Sequence, residues 1–239
     1  MSLYQAPEYE FYRQKIDDVS LSKEELVLQG GKRFALGQRY NLIEEYCKRN
    51  GKQFKNLVEI GCHTGQTILY MSEHNFAENL IGIDIAISQN LQNLESNKAT
   101  FIESNANNNF PLANQSVDAV VAMMVMEHVF DPFHFCNEVS RILEKNGILF
   151  LNVPLITALK HRLSLLSGQM PVTSTPKWFE MREWDGGHLH YFTIPLLKKL
   201  LGLYSLKIID IRGVGSFAKI KSLFPEFLAA EISLICQKY

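Results

Sequence analysis

The chain has 239 residues, with 24 Lys and Arg against 25 Asp and Glu and a formal net charge of -1. That length fits one large domain, or a domain carrying an insertion, since domains run about 100–200 residues. The near-neutral charge offers no basic footprint for duplex DNA, and no apolar run approaches the roughly 20 residues that span a bilayer.

Hydrophobic residues at 46% supply a sizeable core. The N-terminal Met1-Ser2-Leu3-Tyr4-Gln5 lacks a basic-then-apolar signal. Cys47, Cys62, Cys136 and Cys236 are scattered without zinc-ligand spacing, so they read as buried thiols of a reducing compartment. The expectation is a cytoplasmic protein that handles small molecules, with no membrane span and no nucleic acid.

In chain order, the first fifty residues read as a helical cover. Leu36, Tyr40, Ile43 and Cys47 fall on one helix face. Gly30-Gly31 precede that segment and Gly51 follows it. Tyr4, Tyr9, Phe11 and Tyr12 show no period and either pack on the domain or cover a site. From residue 56 short apolar runs alternate with helical stretches. Strands are expected at Leu57–Ile60, Leu80–Ile83, Thr100–Ile102, Val117–Met123 and Ile148–Val153. Helices are expected across Thr67–His74 and Val129–Leu143, with a turn at Glu144–Gly147. This rhythm predicts βαβ units and an α/β fold with a parallel sheet covered on both faces. Residues 154–192 break it with Pro154, Pro171, Pro176, Gly186 and Gly187, both tryptophans (Trp178, Trp184) and three histidines (His161, His188, His190). So long a connection predicts an inserted lid. A helix at Pro195–Leu201 and strands at Leu206–Ile211 and Ile232–Cys236 follow, while Gly213–Ala230 is too mixed to assign.

The informative stretch is Val58-Glu59-Ile60-Gly61-Cys62-His63-Thr64-Gly65. A buried strand ends in an acidic residue, and a glycine-flanked turn then opens a helix. In an α/β sheet ligands bind at this point, beyond the carboxyl end of the first strand. The spacing G-x-x-x-G is not the dinucleotide fingerprint G-x-G-x-x-G, which counts against a nicotinamide-dependent oxidoreductase. Asp84, ending the second run, suits the two hydroxyls of a ribose or caps the next helix. Asn105-Ala106, after the third run, suits an adenine edge or forms a polar loop.

These residues resemble the class I S-adenosylmethionine-dependent methyltransferases. That family shows an acidic-x-Gly-x-Gly-x-Gly turn, an acidic residue ending strand two, and Asp-Ala after strand three. Here they correspond to Glu59 through Gly65, then Asp84, then Asn105-Ala106. Ser116-Val117-Asp118-Ala119-Val120 with Met126-Glu127-His128-Val129 resembles strand four and its loop. His188-Leu189-His190-Tyr191-Phe192-Thr193, leading into Leu196–Leu200, resembles the small-molecule branch that includes ubiquinone- and methionine-biosynthesis enzymes. Gly168–Thr173 is similar to the methionine-biosynthesis subgroup. Two positions depart: His63 stands at the middle glycine, and Asn105 replaces an acidic residue, keeping an acceptor and adding donors.

The resemblance covers about residues 35–239. It implies a Rossmann-like, mostly parallel seven-stranded sheet with an antiparallel last strand, over residues 52–239, with residues 1–51 as cover and the lid at about 154–192. It also implies S-adenosyl-L-methionine as cofactor, S-adenosyl-L-homocysteine as product, and in-line methyl transfer to a small-molecule O, N or C acceptor. Glu59 with Gly61, Cys62, His63 and Gly65 would hold the amino-acid end of the cofactor. Asp84 and Ile85 would hold the ribose, Asn105 and Ala106 the adenine, and Met123 and Met124 the sulfonium. His128, beyond strand four, is the candidate catalytic base or a histidine that positions its loop. His188 and His190 lack a third ligand motif, so no metal is expected. Trp178, Trp184 and Tyr191 form a substrate wall or pack the lid. The alternative function is a non-catalytic cofactor-binding protein that docks on another biosynthetic enzyme as a protein partner.

Overall fold

A computed structural model describes residues 37–87, 99–180, 182 and 184–239. Tyr4, Tyr9, Phe11, Tyr12, Gly30-Gly31 and Leu36 lie outside the described residues, as does most of the 1–51 cover.

The described elements run in the order α1 (Gly37–Asn50), β1 (Phe54–Ile60), α2 (Gln66–Glu73), β2 (Ala77–Asp84), β3 (Ala99–Glu103), β4 (Val117–Met123), α3 (Pro132–Ile142) and β5 (Leu143–Pro154). Next come α4 (Leu159–Leu166), a 3-10 turn (Trp184–Gly187), α5 (Ile194–Leu203), β6 (Leu206–Gly213), α6 (Ala218–Leu223), α7 (Pro225–Leu228) and β7 (Glu231–Lys238). Among the described residues the strands form one seven-stranded sheet in the order β3-β2-β1-β4-β5-β7-β6. Strands β1 to β5 pair in parallel, and β7 runs antiparallel to both β5 and β6. The mostly parallel sheet with an antiparallel last strand is therefore as expected. Chain order reverses between β1 and β4, so the ligand crevice opens beyond the carboxyl ends of those two strands.

Alternation along the central strands feeds two cores. From β4 and β5, Ala119, Val121, Met123, Ile148 and Phe150 face one side, where Leu42, Ile43 and Cys47 of α1 and Ile68 and Met71 of α2 pack. Val120, Ala122, Leu149, Leu151 and Val153 face the other, against Phe135, Val139 and Ile142 of α3 and Leu197 and Leu201 of α5. Helices thus cover both faces, which is why the strands read as continuous apolar runs. Phe150 meets Tyr46 and Phe54 edge-on, with ring centroids 5.5 and 5.9 Å apart.

Three boundaries differ from expectation. Helix α3 begins at Pro132 rather than near Val129, because the Asp131 side chain accepts from the N–H groups of Phe133 and His134 and so caps it there. The Glu144–Gly147 turn is absorbed into β5 as a register shift between Val117 and Ala119 of its partner, with Asn146 left-handed at φ 63°. The unassigned bridge after Gly213 holds α6 and α7. No helix of the described residues is long and apolar enough to cross a membrane.

Candidate active site

The turn after β1 is built by glycine geometry and closed on itself. Gly61, His63 and Gly65 all take positive φ, at 77°, 47° and 70°. A Cβ on Gly61 would collide with Cγ2 of Val125, so the loop after β4 approaches closer than any side chain permits. The N–H groups of Gly61 and Cys62 both donate to the Ile83 carbonyl, at 2.7 and 3.1 Å, and that of Gly65 donates to the Cys62 carbonyl at 2.8 Å. The His63 N–H donates to Asp84 Oδ2 at 2.7 Å. With these donors consumed inside the fold, the turn offers little to a phosphate. It displays carboxylates instead.

Glu59 is buried on β1. The Tyr40 hydroxyl, reaching over from α1, donates to Glu59 Oε1 at 2.8 Å. Glu59 Oε2 is buried with no partner in hydrogen-bond geometry among the described residues. Burial pushes this carboxyl up to about 8; Tyr40 and the nearby Thr67 side chain oppose the rise, and the Asp84 charge adds to it. Asp84, ending β2, is likewise raised by burial, against the pull of the His63 N–H. Its second oxygen makes a long 3.5 Å contact with the Ala86 N–H, and the Ile85 N–H also acts on the carboxylate. An orphaned oxygen on Glu59 and an under-used oxygen on Asp84 fit a ligand with an ammonium and hydroxyl groups.

The remaining expected residues fall around this turn with different postures. Cys62 turns its side chain inward, where its Sγ and the Phe101 ring fill the space a side chain at Gly82 would need. It therefore offers only main-chain atoms. The His63 side chain is exposed, and Ile85 and Ala106 are half-buried. Asn105 Oδ1 accepts from both the N–H and the side-chain amide of Asn107, each at 2.9 Å, so its acceptor is engaged within its own loop. Asn107 Oδ1 in turn accepts from the Phe130 N–H at 2.6 Å, tying this loop to the one before α3. Met123 is buried at the end of β4, and Met124 follows with φ 57°, an uncommon conformation for this residue type.

Beyond Met124 the chain brings Glu127 and His128 to the segment 171–191. The Glu127 carbonyl accepts from the N–H groups of Leu189 and His190. His128 Nδ1 lies 3.1 Å from the Gly187 carbonyl, and its ring stands edge-on to that of His188 with centroids 4.8 Å apart. His188 Nδ1 is 2.7 Å from the Thr173 hydroxyl, which donates to Asp185 Oδ2 at 2.7 Å. Burial and then the neighbouring His128 hold the His188 imidazole down at about 4, so it is neutral near pH 7. Asp185 is fully buried and also accepts from the Ser174 hydroxyl and from Tyr191. The His190 ring points elsewhere: its Nε2 faces the Phe130 carbonyl at 3.2 Å. Trp178 and Trp184 stack edge-on at 5.0 Å.

Comparison with known proteins fits this geometry. Residues 58–151 match the methyltransferase-domain family. A mitochondrial ubiquinone biosynthesis O-methyltransferase of Dictyostelium discoideum is 25% identical over 144 residues, 54% of this chain. The match spans 44% of that relative's length, less than half of it. An S-adenosylmethionine-dependent methyltransferase of Thermotoga maritima shares the fold at TM-score 0.60 and 16% identity, over 97% of this chain and 99% of that one. The 1,6-didemethyltoxoflavin N1-methyltransferase of Burkholderia thailandensis, solved with its substrate and S-adenosylhomocysteine, does so at TM-score 0.59 and 12% identity, over 100% and 92%. Over residues 58–151 in sequence, and over the whole sheet in fold, the chain is similar to S-adenosylmethionine-dependent methyltransferases.

Within this chain, three residues of the second cluster carry more than their sequence suggests. Asp185 sits in Trp184-Asp185-Gly186-Gly187, which reads as an ordinary Asp-Gly turn. Thr173 has no distinguishing neighbour. Glu127 is visible only as part of the motif before His128. The signal available was the pair His188 and His190, and the fold brings the ring of just the first of these beside Glu127 and His128.

Proposed function

We propose that the chain transfers the methyl group of S-adenosylmethionine to an oxygen, nitrogen or carbon of a small molecule and releases S-adenosylhomocysteine. One observation carries this reading: Glu59 and Asp84 face a turn in which the N–H groups of Gly61, Cys62, His63 and Gly65 are spent internally. Carboxylates favour an ammonium and ribose hydroxyls, whereas a dinucleotide's pyrophosphate needs N–H donors of the kind these four residues have already spent.

Glu59 would take the ammonium of the methionyl end, with Gly61, Cys62, His63 and Gly65 lining it by main chain. Asp84 with Ile85 would take the ribose, Asn105 and Ala106 the adenine, and Met123 and Met124 the sulfonium side. The bound cofactor supplies an already activated methyl group, so the protein's task is alignment, which contributes about 7–11 kcal/mol in well-oriented reactions. His128, its Nδ1 held by the Gly187 carbonyl, is the proton acceptor for a hydroxyl nucleophile. Residues 154–192 act as the lid, with Trp178, Trp184 and Tyr191 as an apolar wall against water. The free, buried thiols of Cys47, Cys62, Cys136 and Cys236 suit a reducing compartment, in line with a cytoplasmic protein.

The test is transfer of labelled methyl from S-adenosylmethionine to a panel of catechols, phenols and amines, with the named O-methyltransferase relative making hydroxyl acceptors the first to try. Transfer to at least one class is expected, and for a hydroxyl acceptor His128→Ala lowers kcat by about 10²–10⁴-fold. Cofactor binding without transfer to any class would favour the non-catalytic partner protein instead.

A further inference from the structure

Glu127, His128 and His188 bring one ligand-type atom each to within 4.8 Å of one another. Glu127 and His188 are buried and His128 is half-buried. His188 Nε2 stands 4.0 Å from Glu127 Oε1, longer than a hydrogen bond. Both imidazoles are oriented from outside the cluster. The Thr173 hydroxyl has one proton, and Asp185, an acceptor-only carboxylate, takes it. Thr173 Oγ1 must then accept from His188, which puts that ring's proton on Nδ1 and its lone pair on Nε2. The Gly187 carbonyl likewise can only accept, which puts the His128 proton on Nδ1. A histidine whose far nitrogen donates to an oxygen that fixes its tautomer is the outer arrangement of metal-ligating histidines. Here that outer chain ends on a carboxylate, through a hydroxyl.

We propose that Glu127, His128 and His188 bind a divalent first-row cation of the zinc type. One carboxylate and two neutral imidazoles match the donor preference of such ions, and three protein ligands leave a position open for an exogenous oxygen. Zinc holds these donors at about 2.0–2.2 Å, which sets tetrahedral neighbours about 3.4 Å apart. The three side chains therefore close by about 1.4 Å or less, a matter of small χ rotations. The site replaces the expectation of no metal: His190 faces the Phe130 carbonyl, and His188 is joined instead by two ligands from the loop after β4, about 60 residues away in sequence. With the cation bound, His128 is a ligand, and activation of an acceptor hydroxyl passes to the ion. The proposal does not rest on methyl transfer, because binding of the metal alone tests it.

The full chain is stripped with a chelator and titrated with zinc, the bound metal being measured by mass spectrometry after dialysis and cobalt serving as a spectroscopic substitute. One zinc per chain is expected, with cobalt d–d bands of a low-symmetry nitrogen and oxygen site. His188→Gln weakens binding at least tenfold. Thr173→Val, which keeps all three ligands and removes the hydroxyl that links His188 to Asp185, weakens it about 10–100-fold. Absence of stoichiometric zinc and of the cobalt bands in the wild-type chain would overturn the proposal, whatever the folding of the variants. So would wild-type affinity in a folded His188→Gln chain.

Discussion

At Glu59 burial opposes ionisation, and the consequence is measurable. Its folded carboxyl titrates at about 8 against an ordinary value of 4.5. A raised acid of this kind contributes stability that is fully present below the unfolded value and is lost as pH rises through the folded one. The ligand-free chain therefore carries Glu59 mostly protonated at pH 7. Pairing with the ammonium of S-adenosylhomocysteine would restore the charged form, so binding at pH 7 expels most of a proton. Calorimetry in buffers of different ionisation enthalpy reads this as a buffer-dependent heat. Glu59→Gln should bind more weakly and show no buffer dependence, and a wild-type heat independent of buffer would remove Glu59 from the cofactor's ammonium. Asp84, by contrast, keeps an oxygen engaged by the His63 N–H, so its substitution also loosens the turn.

Among elements, the segment from Gly168 to Tyr191 is held by a side chain rather than by a helix or a sheet. Asp185, at φ 40°, accepts from the N–H and hydroxyl groups of both Thr173 and Ser174. Burial raises its carboxyl, and the hydrogen bonds from Thr173 and Ser174 outweigh that, leaving it below the usual 3.8. A lowered acid contributes stability present above the unfolded value and lost as pH falls through the folded one. Both tryptophans of the chain lie in this segment, so tryptophan fluorescence, excited beyond the tyrosine band, reports it alone. The wild-type spectrum should hold from neutral pH down past about 3.8 and change only below. Asp185→Ala should show the altered spectrum already at pH 7, each lost hydrogen bond to the charged group being worth about 1.5–3 kcal/mol. An unchanged spectrum in that variant would mean the segment is held by something else.

For the molecule as a whole, legibility followed burial. Strands β1, β4 and β5 were readable because a parallel sheet covered on both faces demands unbroken apolar runs, and Val117–Met123 supplies one with Asp118 as its exception. That aspartate accepts from the N–H groups of Lys55 and Asn56 at the far end of the sheet. Helices α6 and α7 were not readable because neither buries a residue, so no periodicity marks them. On the site, Glu59, Gly61, Gly65 and Asp84 lie within one βαβ unit, where local spacing places them. The inward turn of Cys62 and the Asn105–Asn107 bond depend on neighbours that spacing does not name. The cluster of Glu127, His128 and His188 was invisible as a cluster, since its contacts join distant stretches through Thr173 and Asp185.

Methyl transfer by this chain requires above all that the first turn be a nucleoside site that uses Asp84. Titration calorimetry of S-adenosylhomocysteine into the wild-type chain and into Asp84→Ala tests it directly. Binding at one site per chain is expected, with a loss of about 1.5–3 kcal/mol in the variant, or roughly 10–150-fold in Kd. Failure of the wild-type chain to bind, or an unchanged Kd in a folded Asp84→Ala chain, would contradict it.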